Sequence, residues 1–454
     1  MNIQERYKPF LLILFAVVFT FIFSSIPVDF DLGFYKVKEM DLLIDVKPDS
    51  LISAKTHPVS PVFASLFTVG RPVNNYNNNG SFSQPSVPVQ SKVPITGNTE
   101  QMKYFYEALK SSKSRKVRIA HFGDSVIEGD LISADLRKNI QSKYGGNGVG
   151  MLAINAQDIA FRVTTEHSFS PKWTFGSLFG TNPDKLKLGI NGTAAKAGEA
   201  SWVKYVATGR YGVKNFSSAR IFYTSDKSVN VNYSFNDEGA KSVSLKPASE
   251  VQENVLTYPN RAKSLKLDIP ASAGTVYFGV SLEDGNGVYI DNFPLRGNSG
   301  TGMRDMDEAL LKQFNKILDY KLIVLQFGLN MVSAGGEARD FSWYETAMVK
   351  VVNTLKANFP NTSILLIGVQ DKGLKKGSKF VTDPKVLKLI EAQKGIAEQT
   401  GIAFWNLFEA MGGQESMSQW VADGLAAKDY THLNTEGARK VAELISDALL
   451  SSAK

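Results

Sequence analysis

A strand that ends on Gly-Asp-Ser and runs into a helix narrows the folds open to this chain more than any other feature. Val117 to Phe122 is mostly apolar and reads as a buried strand. Gly123-Asp124-Ser125 follows, and Leu131 to Tyr144 reads as a helix. A serine at such a turn sits at the rim of a sheet, with its hydroxyl free to face a substrate.

The second half of the chain repeats the same rhythm. Met303 to Tyr320, Trp343 to Asn358, Pro384 to Thr400 and Thr435 to about Leu450 read as helices. Leu322 to Phe327, Ser363 to Val369 and Ile402 to Asn406 read as strands between them. Asn434 is placed to cap the last helix. Thr99 to Ser112 reads as a further helix, capped by Thr99, that leads into the first strand. Strands alternating with helices imply an α/β fold with a parallel sheet covered on both faces. Sites in such sheets lie at the carboxyl ends of the strands, where Ser125 and Asn330 fall.

A serine hydroxyl needs a base to become a nucleophile. The chain has four histidines, at 57, 121, 167 and 432. Only His432 sits in a suggestive setting, Asp429-Tyr430-Thr431-His432, with a carboxylate three residues before the imidazole. Asp429 would orient the imidazole and stabilise the imidazolium formed when Ser125 gives up its proton. His121 falls inside a strand and reads as structural. An acyl-transfer site also needs donors where the oxyanion develops. The Ser125 backbone N–H, the Gly300 backbone N–H and the Asn330 side-chain amide are the candidates. Gly-Asp-Ser alone is ordinary turn chemistry, so the weight rests on the blocks occurring together and in order.

Those blocks resemble the SGNH (GDSL-type) esterases and acyltransferases. Gly123-Asp124-Ser125 with Gly129-Asp130 resembles the nucleophile block, and Ser299-Gly300 the oxyanion-glycine block. Gly328-Leu329-Asn330 resembles the Gly-x-Asn-Asp block, and Asp429-x-x-His432 the terminal block. Met331 stands where many members have Asp, which reads as a local packing change. The resemblance implies a three-layer α/β/α fold. It implies an acyl-Ser125 intermediate resolved by Ser125, His432 and Asp429, with Ser125, Gly300 and Asn330 as the oxyanion hole and no cofactor or metal.

Residues 155–293 differ in texture. Short strand-like runs, such as Arg220-Ile221-Phe222-Tyr223 and Thr275-Val276-Tyr277-Phe278, are separated by Gly, Asn, Asp and Ser. This predicts an all-β sandwich of jelly-roll type inserted between the nucleophile and oxyanion blocks. The placement resembles peptidoglycan O-acetylesterases, which carry an inserted module resembling a carbohydrate-binding domain. Tyr144 to Gly150 is rich in glycine and reads as a flexible connection, since it lacks the Lys-Ser/Thr ending of a phosphate loop.

At the N-terminus, Arg6 and Lys8 precede an apolar run from Phe10 to Ile26. This reads as a signal anchor or a signal peptide. Either would place the N-terminus in the cytoplasm and the rest outside, in the periplasm or at the cell exterior. Residues 67–94 carry an Asn-rich tract with scattered Pro and Ser and read as a linker. The expected organisation is therefore 1–30 membrane segment, 31–98 linker, 99–154 and 294–454 the two parts of the SGNH domain, and 155–293 the insert. The chain has no cysteine, so disulfides and thiolate metal sites are excluded. A net charge of +7 with scattered lysines suits no nucleic-acid stripe. The expected partners are an acylated polysaccharide and the membrane. The expected activity is removal of O-acetyl groups. Open alternatives are a polysaccharide O-acetyltransferase using the same triad, fed by a membrane-bound acyl-transfer partner, and a non-catalytic glycan-binding protein.

Overall fold

The computed structural model describes residues 92–155, 159, 161–333 and 340–451, together with the two-residue strands Phe30–Asp31 and Lys36–Val37. The chain divides into two compact units, residues 1–77 and 78–454. In the first, Phe30–Asp31 pairs antiparallel with Lys36–Val37. The apolar run from Phe10 to Ile26 lies outside the described residues. Among the described residues no helix is long and apolar enough to cross a membrane.

The second unit is built on a six-stranded sheet. Its order is Gly287–Pro294, Lys116–Gly123, Tyr320–Gln326, Ser363–Ile367, Ala403–Trp405 and Thr96–Gly97. The first five strands are parallel, and the short last one is antiparallel. Numbered along the chain, the parallel strands run 2-1-3-4-5, a doubly wound order whose crevice opens between the first and third. Those two strands precede Ser125 and Asn330. Helices Lys103–Lys110, Leu131–Tyr144 and Thr435–Ser451 bury apolar residues on one face, including Phe105, Leu136 and Val441. Helices Glu308–Leu318, Ser342–Asn358 and Pro384–Thr400 cover the other with Phe314, Met348 and Leu389.

Between the nucleophile helix and the edge strand Gly287–Pro294 the chain forms two antiparallel sheets. One runs Ala248–Ala262, Phe216–Ser225, Thr275–Asp284, Thr193–Ala197, Trp173–Ser177, with Asn147–Leu152 also paired to Thr275–Asp284. The other runs Lys241–Leu245, Val229–Phe235, Ser264–Ile269, Ser201–Ala207, Thr165–Phe169. They share a core around Tyr205, Phe216, Val231, Leu267 and Tyr277. Thr275–Asp284 is buried along almost its whole length rather than alternately. One side of it faces that core. On the other, its Phe278 packs on Phe314 of the helix Glu308–Leu318, as does Phe222 of the neighbouring strand Phe216–Ser225, with ring centroids 5.5 and 6.0 Å from that of Phe314. The antiparallel part and the parallel sheet are therefore packed together within one unit.

Charge reinforces that packing. Arg118, on the nucleophile strand, is buried and donates from Nε and Nη2 to Asp291, from Nη1 to Glu283 and from Nη2 to Ser281. Asp291 lies on the parallel edge strand, whereas Glu283 and Ser281 lie in the antiparallel sheet. Tyr320 donates to the same Asp291 at 2.6 Å.

Several expectations shift. The edge strand Gly287–Pro294 belongs to the parallel sheet, and Asn147–Leu152 to the antiparallel one, so the crossings lie near 147 and 286 rather than at 155 and 293. Tyr144 to Gly150 is not a free connection. A Cβ at Gly148 would lie 2.3 Å from the Leu282 carbonyl oxygen, and one at Gly150 2.2 Å from Asp291 Oδ1. Those glycines admit a close strand approach. Residues 303–320 are not one helix: a 3-10 turn Thr301–Asp305 ends at extended Met306, and Asp307 then caps Glu308–Leu318 through the Leu310 N–H. Thr99 begins a 3-10 turn without a side-chain cap. Asn434 accepts the Gly437 N–H at 3.0 Å, as a cap should.

Candidate functional site

The nucleophile turn is held from behind. Asp130 sits in the left-handed region, φ 67°, and is fully buried. Its carboxylate takes two hydrogen bonds from the Arg137 guanidinium, at 2.8 and 3.0 Å, and one from the Thr164 hydroxyl. A two-pronged ion pair of this kind fixes geometry as well as charge, and here it fixes the exit of the 3-10 turn Ser125–Asp130. Ser125 is half-buried at the start of that turn. Its hydroxyl has no hydrogen-bond partner among the described residues, so the bond to His432 expected for a primed nucleophile is not formed. Such bonds are often long before substrate binds.

Asp124 is the hub around which the other blocks meet. It is buried, and its Oδ1 accepts the Val126 N–H at 3.0 Å, which starts the turn. Its Oδ2 accepts the Asn330 amide at 3.2 Å, and the Gly328 backbone N–H bonds it as well. Burial pushes the Asp124 carboxyl up to about 6, against the pull of these donors and of His432.

The expected oxyanion donors lie together, but two are already occupied. Asn330 donates to the Asn298 carbonyl at 2.9 Å as well as to Asp124, which uses both amide protons. The Gly300 N–H donates to Asn298 Oδ1 at 2.6 Å. Asn298 thus bridges the two donors in place of a substrate oxygen. Gly300 has φ 88°, and a Cβ there would lie 2.9 Å from the Phe327 ring, so the glycine is required both for its conformation and for space.

Asp429 and His432 form the expected pair. His432 Nδ1 and Asp429 Oδ2 are 2.7 Å apart, and Asp429 Oδ1 accepts the N–H groups of Thr431 and His432 at 2.9 and 3.0 Å. Burial opposes the Asp429 charge, but these three donors prevail and bring its carboxyl down to about 2. The loop is tied back by the Ala427 N–H to the His432 carbonyl and by the Gln370 amide to the Thr431 carbonyl, at 2.8 and 2.7 Å. His432 is within electrostatic reach of Asp124, next to Ser125. The hydrogen bond to Asp429, before all other causes, raises the His432 pKa above its ordinary 6.5.

That direction carries a prediction. A base works when neutral, and His432 is neutral only above its raised pKa. Ester turnover should therefore fall on acidification with a midpoint above 6.5. Asp429→Asn removes the charge and leaves only a neutral hydrogen-bond partner, and should move the midpoint to lower pH. A pH–rate profile whose acid limb stays in place in Asp429→Asn would show that another group sets it.

Neither remaining buried histidine is part of this arrangement. His121 lies in the core between Ser133 and Gln326, at 3.1 and 2.9 Å, and burial lowers it to about 4. His167 bonds the Ile154 carbonyl, and burial lowers it to about 3. Trp173 and Tyr205 are core residues of the antiparallel part. A cavity of about 300 Å³ lies between the antiparallel sheet that contains Thr275–Asp284 and the segment from Asn292 to Arg296 at the end of the edge strand. It touches the nucleophile turn only at Glu128 and is lined by neither Ser125 nor His432, so it is not where the ester would react.

Residues 270–440 match the model of the GDSL-like Lipase/Acylhydrolase family. The chain carries a GDSL-like hydrolase domain. The matched segment holds Gly300, Asn330, Asp429 and His432; Ser125 lies before it and joins them through the fold. A solved structure of a peptidoglycan O-acetylesterase is similar with a TM-score of 0.64 at 21% identity, over 79% of this chain and 99% of its own. That likeness shows a shared fold. A family two carbohydrate esterase from Cellvibrio japonicus matches at 11% identity over 64% of this chain and 98% of its own, and a salicylyl-acyltransferase from a tetracycline biosynthetic pathway at 13% over 63% and 97%; both have TM-scores of 0.27. No curated protein matches the chain.

Sequence reading missed three parts of the site. Asp124 was legible within Gly-Asp-Ser, but its role as hub was not. Asn298 stands two residues before Gly300 and carried no separate signal. The antiparallel hairpin of Gly373–Lys376 and Lys379–Thr382, packed on the Asp429–His432 loop, was signalled by two short runs around Gly377-Ser378.

Proposed function

We propose that this GDSL-like domain is a serine esterase that removes O-acetyl groups from a cell-envelope polysaccharide. Ser125 attacks the ester carbonyl, His432 takes its proton, and Asp429 steadies the imidazolium. The tetrahedral intermediate collapses with cleavage of the ester C–O bond as the imidazolium returns its proton to the departing sugar oxygen, and the acyl-serine is then hydrolysed by water activated by the same histidine, which releases acetate and restores the Ser125 hydroxyl. The observation that carries the reading is the Asp429–His432 pair at 2.7 Å, within electrostatic reach of the Asp124 carboxylate that also holds Asn330. Gly300, Asn330 and the Ser125 N–H take the oxyanion once substrate displaces Asn298. The fold shared with a peptidoglycan O-acetylesterase supports the choice of an acetylated glycan.

The test is turnover of p-nitrophenyl acetate with and without a sugar acceptor. Hydrolysis in water alone supports the esterase. Turnover only with acceptor would make it a transferase, and none at all would leave a glycan-binding protein.

The proposal includes export, supported by Arg6 and Lys8 ahead of the apolar run Phe10 to Ile26. An alkaline-phosphatase fusion after Leu450 should be active in cells, and a silent fusion would refute export.

A further inference from the structure

The hairpin Gly373–Lys376 and Lys379–Thr382 has no part in the mechanism above, yet it is built onto the loop that holds His432. Phe380 stacks flat on Tyr430, which sits between Asp429 and His432, with centroids 3.5 Å apart and planes within 6°. The Gly373 N–H donates to the Tyr430 carbonyl at 2.7 Å, and a Cβ at Gly373 would meet Tyr430 Cβ at the same distance. Thr382 Oγ1 accepts the Glu415 N–H, and the Phe380 carbonyl accepts the Ser418 hydroxyl. The hairpin is thus anchored on two sides rather than hanging free.

Its outward chemistry is one-signed. Lys375, Lys376 and Lys379 are exposed, and none has a carboxylate partner among the described residues. Lys376 and Lys379 are directly paired across the two strands. Like charges opposite one another weaken a hairpin, so an anionic ligand laid across them would relieve a cost that the free protein carries. At the hairpin's base Lys372 lies within electrostatic reach of both Asp429 and His432. Leu374, beside these lysines, is 46% exposed. The basic strip therefore begins at the site and leads away from it. Over the few residues of the hairpin the charges act within a Debye length of one another.

We propose that this hairpin is a docking strip for a carboxylate-bearing polysaccharide, which it holds beside His432. The inference rests on the glycan esterase reading and adds to it the substrate's charge. A chain bearing repeated carboxylates fits because Lys376 and Lys379 stand opposite one another on one face of the hairpin, with Lys375 on its other face, and because an extended polymer reaches both the strip and the site.

The test is binding by the full chain, which does not depend on turnover. Non-acetylated polygalacturonate and a neutral dextran are compared by affinity electrophoresis at low and high salt. Wild type should be retarded by polygalacturonate and not by dextran, with retardation lost as salt screens the charges. The triple variant Lys375→Gln, Lys376→Gln, Lys379→Gln should bind polygalacturonate at least about tenfold more weakly and melt no lower than wild type. Polygalacturonate should also raise the KM of wild type for p-nitrophenyl acetate, because the bound chain lies beside the site. Equal retardation of variant and wild type would overturn the proposal. So would binding to dextran, or preference for phosphatidylglycerol vesicles over polygalacturonate. Absence of esterase turnover with binding as expected would refute the enzyme reading and leave the docking strip standing.

Discussion

Ser125→Ala is expected to lower kcat for ester hydrolysis on the order of 10⁴- to 10⁶-fold, the scale on which loss of an activated serine acts in other serine hydrolases. The residue left after such a loss comes from binding and oxyanion donors alone. The substitution should leave the melting temperature where it is. The Ser125 hydroxyl has no hydrogen-bond partner among the described residues, and the turn that carries it is held through Asp124, Asp130 and Arg137. A serine-directed phosphonate should label wild type once, at Ser125, and should not label the variant. A peptide map with the label on another serine, or an alanine variant with wild-type turnover, would remove Ser125 from the chemistry.

Asn330→Ala should lower kcat by roughly 100- to 1000-fold, about 3–4 kcal/mol, with little change in KM. The reason is that an oxyanion-hole donor strengthens its bond as the carbonyl oxygen gains charge. The structure adds a second expected effect. Asn330 also donates to Asp124, so its loss leaves a buried carboxylate short of one donor. That should cost about 1–3 kcal/mol of stability. Asn330→Asp separates the two roles from that of a simple helix residue. It sets a second carboxylate against Asp124, and should be worse than alanine in both turnover and melting temperature. An aspartate variant with wild-type kcat would take Asn330 out of the site.

How far such residues could be read from the sequence depended on how local their signals were. The helix Pro384–Thr400 was legible to the residue because both its ends are local chemistry: Asp383 caps it, Pro384 opens it and Gly401 closes it in the left-handed region. Asp429 and His432 were legible because both partners sit within one turn of chain. The meeting of Asp124, Asn298 and Asn330 was not, since it depends on which strands are neighbours, and strand order leaves no local trace. Tyr144 to Gly150 misled for a related reason. Its glycines looked like freedom, but they are demanded by Leu282 and Asp291, more than 130 residues away in sequence. The insert's edges slipped because Gly287–Pro294 and Thr275–Asp284 are both strands buried on both faces, so composition does not say which sheet each joins.

The Arg118 cluster bears on how this protein could have been assembled, or could be taken apart. Arg118 belongs to the parallel sheet, yet one of its two carboxylate partners, Glu283, comes from the antiparallel part. Glu283 is held at about 2, with Arg220 and Lys116 also contributing after Arg118 to offset its burial. Swapping in a foreign antiparallel part would leave Arg118 paired with Asp291 but would remove its hydrogen bonds to Glu283 and Ser281 unless matching acceptors came with it. A buried donor left unsatisfied costs about 1–3 kcal/mol, and more on a charged group, a large share of a domain's stability. The antiparallel part is thus no interchangeable cassette. A chimera that exchanges it must carry Arg118, Ser281, Glu283 and Asp291 as one inherited set.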